Sequence, residues 1–130
     1  MSQNSVEIVR QMLDEYERGD FQSALSRLAP EVEWEPDTPD GKIYRGHEGI
    51  VQFFTNWLGT WESYEVEQLE LIDAGDKVVS VHRERARGKG SDVTVEQTFA
   101  GLYEVRNGLI SRWRRYPSKT AALEAAGLHE

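Results

Sequence analysis

Hydrophobic residues recur along this chain first with a helical period and then with a strand period. Val6, Val9, Leu13 and Tyr16 stand three or four residues apart, and Ile8 and Met12 widen the stripe; Glu7, Arg10, Gln11, Asp14, Glu17 and Arg18 take the other face. The pattern predicts an amphipathic helix over about residues 5–18, capped by Asn4 or Ser5 and ended by Gly19. Asp20 then caps a shorter helix that buries Phe21, Ala24, Leu25 and Leu28, with Pro30 as its stop. In Glu31–Glu35 the period drops to two, Val32 and Trp34 on one face and three glutamates on the other, which reads as a half-buried strand.

Two prolines and a glycine in Pro36-Asp37-Thr38-Pro39-Asp40-Gly41 fit a rigid loop. The helical period returns at Gly46, where Ile50, Phe53, Phe54, Trp57, Leu58 and Trp61 make an apolar face broad enough for more than one partner element. Trp61, beyond the helix end, is placed to cover a pocket mouth. Four strands follow, Tyr64–Ile72, Lys77–Arg87, Val93–Val105 and Leu109–Tyr116, the last pair joined by the hairpin signal Asn107-Gly108. Ser118 caps a final helix over Lys119–Ala126, stopped by Gly127. Helices first and strands afterwards argue an α+β domain: three N-terminal helices on one face of a strongly bent antiparallel sheet, with a short C-terminal helix.

Composition narrows the function classes. At 130 residues with 38% hydrophobic residues the chain makes one globular domain. Its net charge of −8 disfavours a nucleic-acid partner. It has no cysteine, hence no disulfide framework and no thiolate chemistry. No apolar run approaches the roughly 20 residues of a membrane span, and no basic region with an apolar core opens the chain; a cytoplasmic protein with no membrane partner is expected. His47, His82 and His129 have no metal-ligand spacing, and Asp37 with Asp40 lacks the oxygen run of a calcium loop, so no metal is expected.

The order of elements resembles the SnoaL-like polyketide cyclases, within the superfamily of nuclear transport factor two and ketosteroid isomerase. The residues that carry the resemblance are Gly19-Asp20, Val32-Glu33-Trp34-Glu35-Pro36, Tyr44-Arg45-Gly46-His47-Glu48-Gly49-Ile50 before Phe53-Phe54, and Asn107-Gly108-Leu109-Ile110 followed by Trp113 and Tyr116. It implies a conical barrel, the sheet curving around the helices to leave a pocket, and a homodimer through the outer sheet face. It implies no cofactor. The fold hosts isomerases, cyclases, hydrolases and non-catalytic members alike, so it does not set the function.

The resemblance places Glu35-Pro36 where ketosteroid isomerases carry a proton-abstracting aspartate before proline. A carboxylate against an apolar wall suits that work, because desolvation raises its pKa. The isomerases' oxyanion donors are absent: Met12 falls at the tyrosine position, and Ala100 or Gly101 at the aspartic acid. His82, mid-strand, is the second candidate base or proton shuttle. It shares a face with Val78, Ser80, Glu84 and Ala86.

Trp34, Phe53, Phe54 and Trp57 are the expected pocket wall, with Tyr16 one helical turn beyond Met12. Glu96 pairs with an arginine of a neighbouring strand, either as an outer ion pair or inside the pocket with Arg114 to bind a ligand oxygen. Tyr116, near the end of the last strand, is a candidate hydrogen-bond donor. These residues point to a small apolar ligand handled by acid–base chemistry, or to a non-catalytic dimeric domain that binds a ligand or a protein.

Overall fold

A computed structural model describes the backbone of residues 2–128 and the side chains of residues 5–128. The Asn4 cap and the His129 tail lie outside those described side chains. The helices are α1 (Ser2–Glu17), α2 (Phe21–Ser26), α3 (Gly46–Thr60) and α4 (Lys119–Ala125). The strands are β1 (Leu28–Glu35), β2 (Tyr44–Arg45), β3 (Trp61–Asp73), β4 (Lys77–Gly88), β5 (Thr94–Arg106) and β6 (Leu109–Tyr116).

Local signals account for most boundaries. Gly19, at φ 80°, closes α1 where a side chain would be strained, and the Asp20 carboxylate accepts the Ser23 N–H to start α2. Ser118 caps α4 in the same way, accepting from the Ala121 N–H. Asn107 and Gly108 take φ 54° and 79°, the left-handed pair that a two-residue hairpin requires. Trp61 departs from expectation: it opens β3 instead of trailing α3, and β1 begins three residues earlier, at Leu28.

The six strands form one sheet in the order β2-β1-β6-β5-β4-β3. All pairs are antiparallel except β1 with β6, which run parallel, so the expected all-antiparallel sheet is corrected to a mixed one. The reason is topological. β1 precedes the helical insertion and the β3–β6 meander, and returns to the sheet beside the last strand in the same direction.

The concave face packs on α1, α2 and α3 around Val9, Met12, Leu13, Ala24, Val32, Trp34, Ile50, Val78, Tyr103 and Ile110, all buried. Burial of this apolar area is the main stabilising force. A smaller cluster sits on the opposite face, where Val79, Ala100 and Leu102 meet Ala122 and Leu123 of α4. The C-terminal helix therefore covers the outside of the sheet, and the helices are not all on one side.

Candidate functional site: an aromatic cavity with a buried polar wall

Strand alternation decides what the concave face presents. On β4 it is Ser80, His82 and Glu84, buried at 0, 4 and 3% exposure, because Val79 and Val81 turn the other way. Register then sets Gly101 beside Ser80, Phe99 beside His82 and Gln97 beside Glu84. One strand further, Arg115 lies opposite Gly101 and Trp113 opposite Tyr103; Trp34 of β1 sits next to Trp113.

Leu13 and Tyr16 of α1 and Phe53, Phe54 and Trp57 of α3 close over this surface, leaving a cavity of about 240 Å³. Glu17, Asp37 and Pro39, all exposed, line its rim. Asp37 holds a left-handed backbone at φ 61°.

The wall is continuous aromatic packing. Trp34 stacks on Phe54 at 5.7 Å, meets Phe53 edge-on at 5.6 Å and lies 4.4 Å from Trp113. Phe53 stacks on Trp57 at 5.9 Å, and Tyr16 meets Phe54 edge-on at 5.4 Å. Ring pairs of this kind contribute about 0.5–1.5 kcal/mol each beyond area burial.

Behind the rings lies a saturated carboxylate. Glu84 Oε2 accepts from Arg115 at 2.6 Å and from Gln97 at 2.6 Å, while Oε1 accepts from the Tyr64 hydroxyl at 2.8 Å. Burial pushes the Glu84 carboxyl up; hydrogen bonds from Arg115 and Gln97, the Arg115 charge and the Tyr64 hydroxyl outweigh it and hold the group below the usual range. Glu84 is thus an anion at neutral pH with little basicity to spare. Desolvation, then the Glu84 charge, pushes the Tyr16 phenol up to about 12, and the same two causes raise Tyr64.

A second network runs through His82. Its Nε2 lies 2.7 Å from Ser80 Oγ, which lies 2.9 Å from the Tyr103 hydroxyl. The Tyr103 oxygen also takes a hydrogen bond from Trp113, whose indole can only donate. Ser80 thus links the Tyr103 hydroxyl to the His82 ring through one oxygen that both donates and accepts. Burial, then the Arg115 charge, lowers the His82 pKa to about 4, against an opposing pull from Glu84, so the ring is neutral at pH 7. Its Nδ1 is buried without a partner, as are Trp34 Nε1 and the Oε1 of Gln68, which lies directly opposite His82 on β3.

Phe99 stacks on the His82 ring at 4.9 Å and carries the Arg115 guanidinium 3.9 Å from its centroid. Gly101 leaves room for the Ser80–Tyr103 hydrogen bond. A Cβ there would lie 2.7 Å from the Tyr103 hydroxyl and 2.8 Å from Ser80 Oγ.

Of the residues singled out in the sequence, Trp34, Phe53, Phe54, Trp57, Tyr16 and His82 come together around the cavity. Glu35, Glu96, Arg114 and Tyr116 do not line it. All four are displaced by the same parity. Trp34 points inward, so Glu35 points outward, where it pairs with Arg114 at 3.1 Å. Glu96 lies opposite Arg85 on the outer face. Tyr116 packs with the α4 cluster, and the Arg114 guanidinium lies 4.8 Å from its ring centroid.

Arg115, Glu84, Gln97, Tyr64, Ser80 and Tyr103 were not singled out as site residues. The signal was present: Arg115 shares parity with Trp113, and Gln97 with Phe99 and Tyr103. Among the described residues, no group of three or more His, Cys, Asp or Glu could hold a metal ion. No described helix is long and apolar enough to cross a membrane.

A family model described as a SnoaL-like domain matches residues 9–113. Among solved structures, a protein of this fold type (NTF2-like) from Burkholderia thailandensis E264 is similar at 25% identity and TM-score 0.80, covering 95% of this chain and 97% of that one. A putative SnoaL-like polyketide cyclase from Jannaschia sp. CCS1 is 17% identical with TM-score 0.77, over 98% and 94% of the two chains. A protein with a ketosteroid isomerase-like fold from Catenulispora acidiphila DSM 44928, solved in complex with trimethylamine, is 20% identical with TM-score 0.74, over 95% and 94%. The search of curated proteins gives no match.

Proposed function

Since the chain belongs to the SnoaL-like domain family, we propose that it binds a small, largely apolar molecule in the cavity between the concave sheet face and helices α1 and α3. The observation that carries this reading is the aromatic enclosure of about 240 Å³, backed by buried Glu84–Arg115 and His82–Ser80–Tyr103 networks. Apolar walls with a few fixed polar groups are the usual make-up of a small-molecule site. The direct test blocks the space. Val66 lines the cavity from β3 and is half-buried; Val66→Trp should abolish calorimetric binding of 1-tetralone, a flat aromatic ketone, while the thermal melt stays cooperative. Equal affinity in both proteins would remove the cavity as the site.

Binding is favoured over catalysis by Glu35 or His82. Glu35 lies on the far face, and a ring with a pKa of about 4 is a weak base at neutral pH. A catalytic reading rests instead on Asp37, a carboxylate held on left-handed backbone at the cavity rim, where it would take a proton next to a carbonyl. Solvent deuterium entering the α-position of 1-tetralone in the wild type but not in Asp37→Asn would support it; equal exchange would exclude Asp37. This chemistry needs no cofactor.

The partner proposed besides the ligand is a second copy of the chain. The outer face of β3, β4 and β5 carries Glu67 against Arg83 at 3.5 Å, and Arg85 opposite both Glu65 and Glu96. A face that mixes both charges in rows can match its own copy across a two-fold axis.

A further inference from the structure

A second cavity of about 140 Å³ lies between α2 and α3, lined by apolar residues including Met12, Ala24, Leu25, Leu28 and Ile50. Tyr16, Phe54 and Trp113 line both cavities. Phe54 is in contact with both of the other shared rings. It stacks on Trp113 at 5.7 Å on one side and meets Tyr16 edge-on at 5.4 Å on the other.

The main cavity alone falls below the roughly 300–1,000 Å³ of ordinary ligand pockets, and the two together reach that range. Phe21 and Val51, 46 and 47% exposed, leave an apolar rim on the far side of the second cavity.

We propose that Phe54 sets the length limit of the ligand, and that the second cavity is the subsite for an apolar tail once that ring gives way. The occupant is the tail of the molecule whose head fills the main cavity, because the two spaces share three wall residues and the second is lined mostly by apolar side chains. This rests on the reading of the main cavity as a small-molecule site.

The test uses 2-alkanones from 2-hexanone to 2-tridecanone, with affinities measured by calorimetry on the whole chain. Each added methylene should tighten binding about fourfold until the space is full, after which affinity levels off. Phe54→Ala should move that levelling point by about three carbons or more, since the second cavity is then in line with the first. Adding Ala24→Leu, which fills the second cavity from α2, should shorten the limit relative to Phe54→Ala alone. Phe54→Leu, which keeps an apolar contact for Trp34 and Tyr16, carries the same test if the alanine variant does not melt cooperatively.

An unchanged limit in the Phe54 variants would overturn the proposal. So would a limit that is the same with and without Ala24→Leu, because the gain would then come from the deleted ring alone. Failure of every 2-alkanone to bind wild type and variant would overturn the main-cavity reading, and this inference with it. Binding by the wild type with no shift in the variants removes only this one.

Discussion

Arg115 and Glu84 form the most consequential pair in the molecule, because the carboxylate is buried and each of its oxygens is used. Removing one member of such a pair leaves the other charged and unmatched, which costs about 3–5 kcal/mol. Glu84→Gln should therefore lower stability by that order in urea unfolding. The exposed Arg83–Glu67 pair should contribute about 0–1 kcal/mol, and Arg83→Ala should hardly register. Similar losses in the two variants would contradict the saturated network.

His82 gives a separate pH signature. Its folded pKa of about 4 lies below the ordinary 6.5, so between those values the unfolded chain binds a proton that the native chain refuses. Its contribution is present above pH 6.5 and lost as pH falls towards 4, by roughly 3 kcal/mol in all. Glu84, also depressed, adds its loss only below the ordinary carboxylate value of 4.5. His82→Gln should flatten the stability profile between pH 6.5 and 4 and leave the steeper acid limb. A profile unchanged in that window would contradict a neutral buried histidine.

At the scale of elements, β5 shows how one position couples a strand to the site. Gly101 is buried and sits between Ser80 and Arg115 in register, with the Ser80–Tyr103 hydrogen bond in the space a side chain would fill. Gly101→Ala should cost about 1–3 kcal/mol by overpacking, seen as a lower urea midpoint. Wild-type stability would show that the close approach is relaxed at no cost.

The same strands explain what was legible in the sequence. Period and turn residues gave the helices, the four long strands and the aromatic wall, because Phe53, Phe54 and Trp57 can face only one way on an amphipathic helix. Glu96 lies on the outer face opposite Arg85, the outer of its two expected places, while Gln97 and Arg115, each one residue on from Glu96 and Arg114, face the cavity side. On a strand one residue exchanges the two faces, and charge alone does not reveal which arginine is inside. The aromatic neighbours Trp113 and Phe99 carry that information. The parallel β1–β6 pair was not legible, since nothing local to Val32 or Trp34 specifies which strand end they meet.

The whole molecule is a curved mixed sheet with a cavity on its concave side and, on its outer side, α4 beside a charged surface. Sedimentation should give a species of twice the 14.9 kDa chain mass at micromolar concentration. A species of about 15 kDa would refute pairing through the outer face. A small apolar molecule in the concave cavity would sit against tryptophan side chains, so the four tryptophans allow its binding to be read directly. Trp34, Trp57 and Trp113 line that cavity, and Trp61 does not. In a nitrogen–proton correlation spectrum each indole N–H gives one peak. On titration with 1-tetralone the peaks of Trp34, Trp57 and Trp113 should shift together and saturate at one equivalent, with Trp61 moving least. Shifts confined to Trp61, or none at saturating ligand, would contradict the account.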